Sequence, residues 1–381
     1  MKPEALRAQF TDLYGPGECI TFHSPGRVNL IGEHIDYNGG NVFPCALSIG
    51  TWAVARRRED NRLRLASTKF DGIPVELSLD DVVYNEAHEW VNYFLGVVLE
   101  FQKLGYGLSG LDLLISSDMS SNAGLSSSAS IELLMSVVLN TLFDCQVPMI
   151  EMVKLSQRAE NRFVGVNCGI MDQFAVGMGK RDRAILLDCK TLEHRYVPIA
   201  LVEHSLVISN TNSPRSLAGS KYNERRAESE TAARALGVEL LCELTPEEFE
   251  ARAYRITDPI VLKRAKHVIY ENQRVLESVR YLEQGDLAAF GKLMNASHVS
   301  LRDLYEVTGI ALDTLAEAAW AQTGVIGSRM TGAGFGGCTV SLVENAYIDA
   351  FIEQVGQVYL EKMGIAASFY VANIGDGTRR V

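Results

Sequence analysis

The sequence predicts an α+β protein built as two domains, and three observations point there. A chain of 381 residues, 47% hydrophobic, can bury a large core and is long for a single one. Strand-like segments lead the first half, and long helical segments dominate the second. The character changes near residue 200, so the domains are placed at 1–200 and 201–381.

Taken in order, residues 24–38 (SPGRVNLIGEHIDYN) read as a loop. Arg27, Glu33, His34, Asp36 and two glycines are crowded into a short run, whereas a surface turn needs only one or two Gly or Asn. Such a loop fits a polyhydroxylated or phosphorylated small molecule. Residues 42–56 and 62–67 read as strands around a turn at Glu59-Asp60-Asn61. Trp90, Phe94, Val97, Val98 and Phe101 give residues 88–104 a helical period, and LDLLISS at 111–117 reads as a strand. The helix expected at 127–143 is apolar on nearly every side, which places it deep in a core. Another helix is expected at 148–163, then extended segments at 184–188 and 194–199. Beyond residue 200 come a strand (SLVISN), charged helices near 219–236, 259–283 and 286–304, a glycine-rich turn, a strand (CTVSLVE) and a helix near 347–363.

Composition narrows the function. A net charge of −11 argues against nucleic acid or an anionic membrane as the main partner. The segment MKPEALRAQF lacks the apolar core of a signal peptide, and no apolar run reaches the roughly 18 residues of a membrane helix. Seven scattered cysteines without a CxxC pair read as free thiols in the cytoplasm and leave no zinc site.

Three further motifs carry chemistry. Asn122-Ala123-Gly124-Leu125-Ser126-Ser127-Ser128-Ala129-Ser130 stands before the buried helix, where unpaired backbone N–H groups and the helix dipole favour a phosphate. One serine would suffice to cap that helix; three in a row with Gly124 point to a nucleotide. Glu160 ends one helix, and Asp172 falls in the first turn of the next, which starts near Gly169. Read alone, Glu160 is more readily a solvated helix residue and Asp172 a capping acid, since most acids lie at the surface. The glycine turn from Met330 to Cys338 contains a formal GxGxxG, but a strand pattern follows it rather than a helix, which rules out a dinucleotide site and leaves a tight turn with close backbone packing.

These residues carry a resemblance. The 24–38 run and CGIMDQ after AENRFVG resemble the galactokinase branch of the small-molecule kinases that phosphorylate galactose, homoserine, mevalonate and phosphomevalonate. The phosphate loop is similar too, with Ser120 where the family has Pro and Asn122 where it has the first Gly. The resemblance implies an N-terminal domain like ribosomal protein S5 domain 2, a ferredoxin-like C-terminal domain, and an active site in the cleft between them. It implies an ATP-dependent transfer to the 1-hydroxyl of galactose, with Mg²⁺ as cofactor. By it Asp172 and Arg27 are catalytic. Glu33, His34, Ile35, Asp36, Gly169 and Tyr222 meet the sugar. Asn122 to Ser128 with Ser67, Trp90 and Tyr93 meet ATP, and Ser128 and Glu160 hold the metal. A monomer whose partners are galactose and MgATP is expected. A kinase for N-acetylgalactosamine or arabinose and a non-catalytic galactose sensor are the rival readings; the intact serine run and Asp172 favour the enzyme.

Overall fold

The computed structural model describes residues 3–70, 72–119, 124–199, 201–213 and 218–381. In chain order it holds α1 (Pro3–Tyr14), β1 (Ile20–Asn29), β2 (Asn41–Val42), β3 (Pro44–Arg57), β4 (Arg62–Ser67), β5 (Val75–Ser78), α2 (Val91–Lys103), β6 (Leu111–Ser117), α3 (Ser127–Leu142), α4 (Met149–Ala159) and α5 (Met171–Met178). These are followed by β7 (Arg183–Asp188), β8 (His194–Pro198), β9 (His204–Asn210), α6 (Ala218–Leu236), α7 (Pro246–Arg252), α8 (Pro259–Glu283) and α9 (Leu287–Ser300). The chain closes with α10 (Gly309–Trp320), β10 (Val325–Thr331), β11 (Cys338–Glu344), α11 (Ile348–Met363), β12 (Ser368–Ala372) and β13 (Arg379–Arg380).

A six-stranded sheet runs β13-β1-β3-β6-β4-β5, with β4 and β6 its parallel pair. One face is covered by α1 through Leu6, Phe10 and Tyr14 against Val54, Ala66 and Leu114. The other carries α3, whose Leu133, Leu134, Val138 and Leu139 are fully buried, as its all-round apolar sequence requires. A second sheet, β10-β11-β9-β12, is antiparallel throughout. Its strands bury alternate residues on opposite faces, the period of a sheet with two covers. Val207 and Val343 join Phe351, Val355 and Tyr359 of α11, while Leu206, Ile208 and Leu342 join the main core. The long α8 starts at Asp258, whose carboxylate caps the Ile260 amide at 2.7 Å, with Pro259 in the first helical position.

Two differences from the sequence expectation matter for the site. Ser24–Asn29 is not loop but the end of β1. The register slips between Pro25 and Arg27, so a proline that cannot donate to the ladder sits at a bulge, which re-aims Arg27. The final residues also return to the first sheet, β13 pairing with β1 and Ile374 bridging to Leu47.

Candidate active site

A cleft of about 790 Å³ gathers most of the predicted residues. Arg27, Glu33, His34, Asp36, Ser67, Trp90, Tyr93, Gly124, Ser126, Ser127, Ser128, Glu160, Gly169, Asp172 and Tyr222 all line it. Ile35 and Leu125 do not. Both are fully buried, their apolar side chains packed into the core on the far side of the loops that carry them. Asn122 and Ala123 lie outside the described residues, as does Ser120.

The centre is a fork between Arg27 and Asp172. Nε and Nη2 of Arg27 donate to the two carboxylate oxygens of Asp172, each at 2.7 Å, and Nη1 donates to the Gly124 carbonyl at 2.8 Å. The bidentate geometry orients the carboxylate as no single bond does. Asp172 sits in the first turn of α5, as expected, and also accepts from the Ser126 hydroxyl. Ser126 is in the left-handed region at φ 58° and forms no capping bond, so its hydroxyl serves Asp172 rather than α3.

Opposite this fork lies the acidic loop. Oε1 of Glu33 accepts from Gly332 N at 2.7 Å, Thr331 Oγ1 at 3.0 Å and Arg329 Nη1 at 3.4 Å; Oε2 accepts from Asn29 Nδ2 at 3.0 Å. Glu33 therefore spends one oxygen on the glycine turn and keeps capacity on the other. Asp36 lies against Gly169 so closely that a Cβ there would stand 2.1 Å from Oδ2. Burial, with Asp172 and Glu33 nearby, pushes the Asp36 carboxyl up to about 6. Burial pushes the Tyr222 phenol well above its ordinary range, with Asp36 and Asp172 adding to it. Its ring stacks at an angle on His34, centroids 5.7 Å apart.

Beside the serine run, Glu160 opens a π-helical turn, Glu160–Val164, that continues α4. Such turns recur at functional positions. Glu160 carries a hydrogen bond from Ser128 and accepts from Gln173 Nε2 at 2.6 Å. Gln173 also donates to Glu132, at 3.0 Å. Burial raises both carboxyls, Glu132 well above the usual carboxylate range. Among the described residues no three His, Cys, Asp or Glu side chains gather around a metal position. Glu160 and Ser128 are hard oxygen donors of the kind Mg²⁺ takes when phosphate completes its shell, and Glu132 Oε1 and Gln173 Oε1 are buried acceptors without a partner. Also lining the cleft, Trp90 stacks flat on Phe70, centroids 6.0 Å apart and planes within 8°. Trp90 is thus both packed and cleft-lining.

Gln173, Glu132, Phe70 and Arg329 escaped the sequence reading. Gln173 had a signal, since it follows Asp172 directly. Arg329 had none, because its partner Glu33 is 296 positions away. The glycine turn joins β10 to β11, so a strand follows it, as its sequence pattern indicates. All seven cysteines are free, and no helix among the described residues is long and apolar enough to cross a membrane.

Comparison with known proteins identifies the family. Residues 8–57 match the galactokinase galactose-binding signature, residues 92–180 the GHMP kinases N terminal domain and residues 278–360 the GHMP kinases C terminal domain. The chain is 54% identical over 382 residues to a galactokinase of Clostridium beijerinckii, covering 99% of this chain and 98% of that one. It is 56% identical over 386 residues to a galactokinase of Fusobacterium nucleatum, covering 99% of each. Among solved structures, Lactococcus lactis galactokinase complexed with galactose superposes with a TM-score of 0.95 at 48% identity, covering 99% of both chains.

Proposed function

This chain belongs to the galactokinases and is an ATP-dependent sugar kinase with the GHMP kinase fold, and we propose how its residues divide the transfer of the ATP γ-phosphoryl group to the 1-hydroxyl of α-D-galactose. The Arg27–Asp172 fork carries the reading, because it places an oriented carboxylate between the acidic loop and the serine run. Asp36 accepts two adjacent sugar hydroxyls, the 3- and 4-hydroxyls, and the free capacity of Glu33 Oε2, with His34, Tyr222 and the backbone at Gly169, closes around the ring. Asp172 accepts the 1-hydroxyl proton as O1 bonds to the γ-phosphorus, the bond from that phosphorus to the β-γ bridging oxygen breaks, and ADP leaves. Arg27 holds Asp172 in place and meets the charge that develops.

Gly124 to Ser128 and the start of α3 cradle the phosphates. Phe70, Trp90, Tyr93 and Ser67 hold the base end of ATP. Glu160 and Ser128 fit a Mg²⁺ ion. Held by these two side chains, such an ion would supply positive charge to the transferring phosphate. The reading places the site in a cleft between an N-terminal S5 domain 2-like domain at 1–200 and a ferredoxin-like one from 201, apart from the last strand, which rejoins the first sheet. It also places the enzyme in the cytoplasm. A coupled ADP-release assay over galactose, glucose, N-acetylgalactosamine and arabinose tests the substrate. Galactose is expected to lead by orders of magnitude in kcat/KM, because glucose leaves Asp36 partly unpaired. Comparable values for glucose and galactose would refute the assignment.

A further inference from the structure

The hydrogen bonds behind His34 have one self-consistent direction. The Ala333 carbonyl can only accept, so Nε2 of His34, 3.0 Å away, carries the ring proton. Burial holds the imidazole neutral, far below its ordinary range, at about 3. Nδ1 is then an acceptor, and the Tyr37 hydroxyl at 2.9 Å donates to it. With its one proton spent, Tyr37 accepts from Tyr305 at 2.8 Å. Tyr305 in turn accepts from Ser229 at 2.9 Å. A single carbonyl thereby fixes a one-way chain: Ser229, Tyr305, Tyr37, His34, Ala333.

We propose that Tyr37 and Tyr305 are positioning residues for sugar binding, which hold His34 in one tautomer and orientation and so tie the acidic loop to the glycine turn. The inference rests on the reading that the Glu33–Asp36 loop binds the sugar. Both ring nitrogens of His34 are spent on protein atoms, so the imidazole works as a tie rather than as a free donor. It sits at a positive φ of 63°, where a residue other than glycine stays only if its surroundings hold it. What it ties is the turn that also bonds Glu33, through Gly332 and Thr331. Tyr305 does not line the cleft. It is fully buried at the end of the π-helical turn Leu301–Tyr305, its carbonyl accepts from Arg225 at 2.7 Å, and its ring packs on His34 and His267 with centroids 5.0 Å and 4.5 Å away. Arg225 and Ser229 belong to α6, which also carries Tyr222, so one helix bears both the far end of the chain and a residue that lines the cleft.

The test is a double-mutant cycle read as galactose KM, ATP KM, kcat and melting temperature. Y37F is expected to raise galactose KM about tenfold and Y305F about fivefold, the range for an unpaired buried partner. Saturated kcat and ATP KM should change less than twofold. The groups act in series, so Y37F/Y305F should be no worse than Y37F. Additive losses, or a lowered melting temperature with galactose KM unchanged, would overturn the proposal. If Y305F does not fold, S229A at the far end takes its place, expected to raise galactose KM two- to threefold and to add nothing in the Y37F background. D36A separates the two levels: if D36A leaves galactose KM unchanged, the sugar-loop reading has failed, whereas a large effect of D36A with none from Y37F refutes the chain alone.

Discussion

Replacing Gly169 by alanine puts a methyl carbon where Asp36 already is. The added Cβ would stand 2.1 Å from Oδ2 and 3.1 Å from Cγ, against the 3.4 Å at which ordinary contact begins. The carboxylate or the segment before α5 must therefore move by about 3.4 − 2.1 = 1.3 Å. Gly169 is not among the residues with positive φ, so alanine brings no backbone strain and the clash is the whole perturbation. Misplacement of a substrate-orienting group by about 1 Å costs on the order of 10²-fold. G169A is thus expected to lower kcat/KM for galactose about 100-fold, mostly through KM, with ATP KM within twofold and little change in melting temperature. Steady-state kinetics with each substrate varied, and a melting curve, check this. In a D36A background the same substitution should add little, because the atom it meets is gone. A galactose KM within twofold of wild type for G169A would show that Asp36 is not held at its working position by that contact.

Asp36 also sets a pH dependence. Its carboxyl is pushed up to about 6, and the ionised form accepts from sugar hydroxyls with both oxygens whereas the protonated form must spend one oxygen as a donor, so galactose binds the ionised form more tightly and affinity falls as pH drops through that value. Galactose affinity measured by calorimetry should be flat from pH 7 to 8 and weaken by up to about tenfold per unit as pH falls below 6; a flat profile down to pH 5 would contradict it. D172N should cut kcat by about 10²–10⁴ while galactose still binds, and a variant keeping half the wild-type kcat would remove Asp172 from the chemistry. E160A should raise the half-saturating Mg²⁺ concentration at least fivefold and weaken Mn²⁺ binding seen by electron paramagnetic resonance in the presence of ADP, with galactose KM unchanged; an unaltered metal titration would refute its role.

Much of this protein was determined by local sequence. The helix over α8 is set by Asp258, Pro259 and an amphipathic run, all neighbours in the chain, and its observed ends coincide with the expected ones. The buried α3 is announced by its composition, and Asp172 in a first turn by the glycines before it. The dense polar run at 24–38 and the serine run mark the cleft because no ordinary turn or cap needs so many special residues at once. What only the tertiary structure decided are the relations between distant residues. Nothing near Glu33 foretells Arg329, Thr331 and Gly332 as its partners, and nothing near His34 foretells Ala333 or, through Tyr37, Tyr305. Ile35 reads as part of the sugar loop by its place in the motif, yet its apolar side chain turns inward because burying it outweighs any contact with a hydroxylated ligand. Sequence period and capping act over a few residues and so survive in the linear text. Ion pairs, hydrogen-bond direction and carboxyl titration depend on distance and burial, which exist only once β1, α5, α6 and the glycine turn have come together around one cleft.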